Sequence, residues 1–438
     1  MADFKITNAT VVTADGRGTV IPGGEILIRD GRIAAVGESV GAEVKASGGG
    51  EVVDAAGQVV MPGLVNTHTH TAMTLLRSYA DDLPLMQWLE NEIWPVEAHL
   101  TAEDIYWGTA LGAAEMLKSG TTTCSDMYFL MNSAAVAYGD IGMRAVLAPG
   151  LFSFAPDPDA ALREAVEFSR AWQGEADGRI TTMLAPHAPY TCEKGYLRDI
   201  LTAATELDVP LHTHVSETRE EVDESYRTHG ISPVRYLEEL GITEHRHLLA
   251  AHCVHVNEED IGILGRDGVA VAHNPQCNMK LGNGVAPVVE MATAGATVAV
   301  ATDGVASNNN LNLWEEMRMA AFLQKGYYHD TTRLPATDAL AMGTRHAAAA
   351  LDLGTSIGSI EVGKQADLIF VDDRQPQFQP LHDVTANLIY SVYGSEVTRV
   401  FVGGREVLRD GRLITVDEAE IYARAQAQAR RLLEAAGK

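Results

Sequence analysis

Hydrophobic and polar residues alternate in short runs over the first 60 positions, in Thr10–Thr13, Glu25–Arg29, Arg32–Val36 and Glu51–Asp54. Alternation of this period, broken by turn dipeptides such as Asp30-Gly31, predicts the strands of a small antiparallel sheet. The same style returns near the end of the chain, in Ala366–Val371, Val397–Val402 and Glu406–Leu408. There Leu408-Arg-Asp-Gly-Arg-Leu413 echoes Ile28-Arg-Asp-Gly-Arg-Ile33. Two hairpins with one turn chemistry predict a single small β-sandwich domain built from both chain ends, residues 1–60 and 363–438. It closes on a helix between Val416 and Ala436, where Ala, Glu, Arg and Leu recur at helical spacing.

Between these ends, over residues 61–362, the pattern changes to short apolar runs separated by longer helical segments, which is how parallel βα units read. Eight runs stand out: Val59–His70, Thr121–Met127, Ala145–Leu151, Ile180–His187, Val209–Ser216, His247–His255, Gly268–Asn274 and Ala296–Asp303. Eight such units over roughly 300 residues fit a (β/α)8 TIM barrel, whose working groups sit at the C-terminal strand ends. Histidines and acids crowd those ends here: His68 and His70, Asp126, His187, His214 with Glu217, His252, His273 and Asp303.

Composition narrows the reading. A chain of 438 residues is long for one core, and 46% hydrophobic residues with 40 glycines suit an α/β enzyme rather than a disordered or fibrous chain. A formal net charge of -26 repels phosphate backbones and anionic membrane surfaces, so no nucleic acid and no membrane is expected as a partner. The start, Met1-Ala2-Asp3-Phe4-Lys5, is not that of a secretory signal, and no apolar run reaches membrane-spanning length, so the expected location is cytoplasmic. Cys124, Cys192, Cys253 and Cys277 are far apart and form no C-x-x-C pair, which favours reduced, buried thiols.

Side chains on a strand alternate faces, so His68 and His70 point the same way and can share one ion. A lone H-x-H is a weak motif, but the fifth strand end adds His214 and the eighth adds Asp303. Three imidazoles and one carboxylate suit a catalytic zinc site with room for water, and Fe2+, Co2+ or Ni2+ would also accept these donors. Water on such an ion ionises near neutral pH. His252 is placed to orient or deprotonate that water, Asp303 to take a proton on its second oxygen, and Glu217 to shuttle a proton to a ring nitrogen. The bland alternative for Glu217 is an ordinary acid at the start of a helix.

The stretches Met61–Arg77, Leu85–Leu89, Ile93–Glu97, Ala185–Tyr190, Ala250–His255, His273–Gly284 and Thr302–Asn309 together resemble the amidohydrolase superfamily, and closely its 5'-methylthioadenosine/S-adenosylhomocysteine deaminases. The resemblance implies hydrolytic deamination of an adenosine-type nucleoside to its inosine analogue and ammonia. It implies one divalent metal ion per subunit, preferably zinc, held by His68, His70, His214 and Asp303, with Glu217, His252 and Asp303 catalytic. It further implies that the substrate is contacted by Glu97, on the ribose hydroxyls, by His187, and by Glu217 and Asp303. Relatives with two metals carry a carboxylated lysine after the fourth strand, whereas Leu184–Tyr190 contains none, which fits a single ion. Relatives are often oligomeric, though no segment here specifies a homo-oligomer interface.

One departure bears on the substrate. Relatives that bind the amino-acid tail of S-adenosylhomocysteine commonly carry an arginine just after the third strand, and Val146–Leu151 offers no such carboxylate clamp. Methylthioadenosine or adenosine is therefore expected ahead of S-adenosylhomocysteine. His212 should lie one layer deeper than His214, His255 and His273 could line the pocket, and Trp88, Leu89 and Trp94 are candidates for an apolar lid. Guanine deaminase, triazine-type or cyclic amide hydrolases share the same metal logic and remain as alternatives, as does an inactive barrel scaffold. The cytidine-deaminase pattern, H-x-E with P-C-x-x-C, is absent from the sequence.

Overall fold

Strands from both ends of the chain hydrogen-bond into one nine-stranded sheet in a computed structural model that describes residues 3–41, 51–266 and 268–438. Met1 and Ala2 of the N-terminal reading, and residues 42–50 within the first stretch assigned to the small β-domain, lie outside the described residues. Gln58–Pro62 runs antiparallel to Leu368–Asp372, with Val60 opposite Phe370, and this pair joins the N-terminal half of the sheet to the C-terminal half. Both predicted hairpin turns have the backbone that Asp-Gly favours, with left-handed φ at Asp30 (48°), Gly31 (75°), Asp410 (51°) and Gly411 (70°).

The sheet is folded over on itself. Phe4 and Phe401 stack with ring centroids 4.9 Å apart, although two strands separate Phe4–Val12 from Val397–Val402 in the sheet order. Three strand spacings would hold them about 14 Å apart in a flat sheet. The fold-over encloses Ile6, Ile28, Val60, Leu368 and Phe370 in a core of their own. At the closing seam a Cβ on Gly404 would lie 2.5 Å from the Gly31 Cα, so only glycine fits there. The C-terminal helix forms over Glu418–Ala435, its first turn capped by the Asp417 carboxylate, and its Arg431 pairs with buried Asp104 of the helix Ala102–Lys118.

The barrel strands are Leu64–Thr69, Thr121–Tyr128, Arg144–Leu151, Ile180–Thr182 with Ala185–Pro186, Leu211–Val215, Leu248–His252, Val269–His273 and Thr297–Val300. They pair in parallel in sequence order, and a Leu184–Leu211 bridge joins the fourth to the fifth. The ring closes where Thr67 Oγ1 donates to Val300 O and Asp303 N donates to His68 O, both at 3.0 Å. Val65, Met183, Ala251, Ala272 and Ala301 fill the interior beside Ala347, Ala348 and Leu351 of the segment that follows the eighth unit. Small interior residues leave room for bulkier imidazoles in the layer above.

The run Val59–His70 is two strands rather than one. Gln58–Pro62 belongs to the small sheet and Leu64–Thr69 to the barrel. The break falls at Gly63, where a Cβ would lie 2.1 Å from Thr122 Oγ1. The sixth strand ends at His252 rather than His255 because His252 and Cys253 turn to left-handed φ of 73° and 47°. All four cysteines are buried and unpaired, and among the described residues no helix is long and apolar enough to cross a membrane.

Sheet and barrel are tied by a buried ion pair. Arg144 Nε and Nη2 donate to Asp367 Oδ2 and Oδ1 at 2.8 and 3.0 Å, and Gly403 N donates to the same carboxylate at 2.6 Å. Removing one partner of such a pair strands the other charge. Arg144→Met is expected to lower the unfolding free energy by about 3–5 kcal/mol in denaturant titration; a loss below about 1 kcal/mol would show that the pair does not bind the two units together.

Candidate metal centre and active site

The first barrel strand ends in His68-Thr69-His70, and the pleat turns both imidazoles inward while Thr69 Oγ1 donates to Asp303 O at 3.0 Å. His70 Nδ1 donates to Met127 O at 2.6 Å and His214 Nδ1 to His187 O at 2.7 Å. A carbonyl can only accept, so each ring carries a proton on Nδ1 and turns Nε2 toward the centre. Those two Nε2 atoms face each other at 3.4 Å. Asp303 Oδ1 lies 3.1 Å from His70 Nε2 and 3.4 Å from His68 Nε2, and His68 Nε2 is buried with no hydrogen-bond partner among the described residues. Donors about 2.0–2.2 Å from one tetrahedral ion are about 3.3–3.6 Å apart, so this donor set fits a single divalent cation.

Without an ion the rings differ in charge, and a cation among them would take the place of a proton on His70 Nε2. Burial holds the His68 imidazole down to about 4 and His187 to about 3, and pushes His214 well below its ordinary value, so these rings are neutral. Burial works the same way on His70, but the hydrogen bond and charge of Asp303 outweigh it and raise His70 to about 9. Asp303 itself is held far below the carboxylate range, because the imidazoles outweigh its burial. It sits at a left-handed φ of 62°, fixed by Gly304 N on Oδ1 (2.8 Å) and by Cys277 Sγ (2.8 Å) and Ser307 Oγ (2.9 Å) on Oδ2.

Glu217 and His252 stand beside this cluster. Glu217 is buried, its Oε1 accepts from Asn283 Nδ2 at 2.9 Å, and its Oε2 lies 3.7 Å from His252 Nε2. Burial raises its carboxyl, against the pull of His252. It is not the surface acid of a helix start: the helix Arg219–His229 is capped by Thr218 instead. His252 Nδ1 is 3.0 Å from Asn278 Oδ1, and Asn274 Nδ2 lies 3.2 Å from its Nδ1 and 3.4 Å from its Nε2.

His70, His214, Asp303, Glu217 and His252 line one concave pocket, with His68 buried behind them. Trp88, Leu89, Ile93 and Trp94 line the pocket from a helical segment interrupted by a π turn at Leu89–Ile93. Tyr128, Phe129 and Phe152 line it as well. Glu97 is partly buried on the rim, accepts from the Tyr128 hydroxyl at 2.5 Å and has its carboxyl raised by burial. His187 stacks on Phe152 at 4.5 Å, with Thr191 Oγ1 3.0 Å from its Nδ1.

The structure thus brings His68, His70, His214, Asp303, Glu217, His252, Glu97 and His187 together around one pocket. His212 lies one layer deeper, as expected, whereas His255 lines a neighbouring groove and His273 is buried away from the pocket lining. Sequence reasoning missed Tyr128, Glu221, Asn278, Asn283, Cys277 and Ser307 as supporting groups. Three of them fall in His273–Gly284, a stretch that stood out in the sequence without roles for its members.

The Amidohydrolase family model matches residues 59–407. The chain belongs to this family. It is 50% identical to the 5-methylthioadenosine/S-adenosylhomocysteine deaminase of Desulforudis audaxviator, over 98% of this chain and 99% of that one. Among solved structures it resembles an adenosine deaminase from Xanthomonas campestris with bound zinc, at 37% identity and a TM-score of 0.94, covering 99% of each chain. A triazine hydrolase from Arthrobacter aurescens matches at a TM-score of 0.90 over 98% of this chain and 100% of that chain, but at 24% identity this likeness concerns the fold alone. Members of the family are metal-dependent hydrolases, and the convergent Nε2 atoms described above are the corresponding feature of this chain.

Glu221 allows a pH test of the scaffold. Its carboxylate accepts from Ser216 N (2.8 Å) and Glu217 N (2.7 Å), and burial raises it to about 7 from an ordinary 4.5. A raised acid favours the fold below its unfolded pKa and loses that contribution as pH rises through its folded value. In unfolding titrations of metal-free protein, the stability of wild type relative to Glu221→Gln is expected to fall between pH 4.5 and about 7 and then level off. A difference independent of pH would contradict the assignment.

Proposed function

We propose that this chain is a metal-dependent aminohydrolase that deaminates adenosine-type nucleosides to the inosine analogue and ammonia, using one zinc ion per subunit. The reading is carried by one observation: four donors aimed at a common point lie beside a buried acid and an imidazole, beneath a pocket with a carboxylate, Glu97, at its rim. The deaminase relative at 50% identity and the zinc-bound adenosine deaminase neighbour support it. Guanine and triazine chemistry is not favoured, because the pocket offers a diol acceptor and the triazine likeness is one of fold.

His68, His70, His214 and Asp303 would hold the ion. When bound, it acts as a Lewis acid that makes water nucleophilic near neutral pH. Glu97 accepts hydrogen bonds from the two ribose hydroxyls, and His187 packs against the sugar from the opposite wall. Glu217, its carboxyl raised by burial, gives a proton to N1 of the purine, so that C6 becomes electrophilic. As water attacks C6, Asp303 takes one of its protons and His252 Nε2 steadies the oxygen. Collapse then moves the Asp303 proton to the departing amine and the remaining hydroxyl proton back to Glu217. The product keeps N1–H and C6=O, and ammonia leaves.

Phe129, Phe152 and Trp94 line the pocket together with Glu97 and His187, and the Phe154 ring centroid lies 5.1 Å from that of Phe152 and 5.9 Å from that of Trp94. The 5' end of a nucleoside held at its ribose faces these rings. They suit a methylthio group and leave a zwitterionic tail unpaired. With purified zinc-loaded protein, kcat/KM for methylthioadenosine is expected to exceed that for S-adenosylhomocysteine by about tenfold or more, read from the ultraviolet shift on deamination. Glu217→Gln is expected to lower kcat by about 10²–10⁴ with the ion retained. Inert adenine nucleosides, alongside turnover of guanine or a chlorotriazine, would overturn the substrate reading.

A further inference from the structure

The three imidazoles of the metal cluster differ in what holds their Nδ1 atoms. His70 and His214 each meet a backbone carbonyl, which turns Nε2 toward the ion site without further help. His68 Nδ1 meets another imidazole instead: His212 Nε2 lies 2.9 Å away, and His212 Nδ1 is 3.4 Å from Ser125 Oγ. His68, His212 and Ser125 are all 0% exposed, and the two rings meet edge to face with centroids 4.9 Å apart. An imidazole nitrogen can donate or accept, so this contact alone does not decide which nitrogen of His68 carries the proton.

Ligation decides it. An ion on His68 Nε2 requires the proton on Nδ1, which requires an unprotonated Nε2 on His212, whose own Nδ1–H then points toward the Ser125 oxygen. We propose that His212 is a positioning residue: as a neutral acceptor backed by Ser125, it fixes His68 in the Nδ1–H tautomer and thereby sets the affinity of the site for its ion. The inference rests on the metal-site reading above. Packing alone does not account for His212, since the barrel interior is otherwise filled by residues such as Val65, Met183, Ala251 and Ala272. A fully buried imidazole among them is costly unless its nitrogens are partnered, and one of its partners is a ligand of the ion.

The test is zinc affinity by chelator competition on wild type, His212→Leu and His212→Gln, alongside kcat per bound ion. A glutamine carbonyl can stand near the position of Nε2 and accept. Leucine is expected to weaken zinc binding about 10–100-fold, and glutamine to restore most of it, with kcat per bound ion changing far less. Equal affinities in the two variants, or no loss in either, would overturn the relay while leaving the metal site standing. Wild type that binds no zinc would overturn the site and the relay together. A second readout needs no substitution at His212: Co2+-loaded wild type should show three hyperfine-shifted, exchangeable imidazole N–H resonances. One of these should move in Ser125→Ala while two stay; all three unmoved would overturn the relay.

Discussion

Two imidazole Nε2 atoms that face one another at 3.4 Å repel unless a proton or a metal ion sits between them. The surroundings enforce this arrangement rather than relieve it. Carbonyl oxygens of Met127 and His187 pin the Nδ1 protons on the far side of two rings, and the closing hydrogen bond of the barrel, Asp303 N to His68 O, brings the carboxylate in. Asp303 is held at a left-handed backbone angle by groups on both of its oxygens, a local strain of the kind that collects at working sites. Barrel closure and site assembly are therefore one event, since the strands that must meet carry the donors.

Division of labour in the fold follows from that. The alanine-rich barrel interior and the folded-over terminal sheet supply rigidity, joined by Arg144 and Asp367 and by the seam at Gly31 and Gly404. Segments after the strands supply much of the pocket lining: Trp88 and Trp94 from the first, Phe129 from the second, Phe152 from the third and Glu217 from the fifth. Supporting groups reach across these segments, as Asn283 does to Glu217 and Asn278 to His252.

Much of this was legible in the residues. The eight βα units, the paired Asp-Gly hairpins and the cluster of His68, His70, His214 and Asp303 all follow from local periodicity plus the rule that barrel chemistry collects at strand C-termini. The Gly63 break was hidden because Val59–His70 reads as one run, and only the tertiary approach of Thr122 divides it. Glu221 reads as one acid among several at a helix start, and nothing local says that its carboxylate turns back to cap Ser216 and Glu217. Tyr128 lies one residue past the expected end of the second strand, and its partner Glu97 comes from a helical turn whose packing periodicity alone does not specify. Such contacts link elements far apart in sequence, where alternation carries no information.

The most direct measurement is anomalous diffraction at the zinc absorption edge from crystals of zinc-loaded protein. The expected result is a single peak about 2.0–2.2 Å from Nε2 of His68, His70 and His214 and from one oxygen of Asp303. A density map with no such peak, or with the ion on a different donor set, would contradict the shared-cation centre on which the fold's chemistry depends.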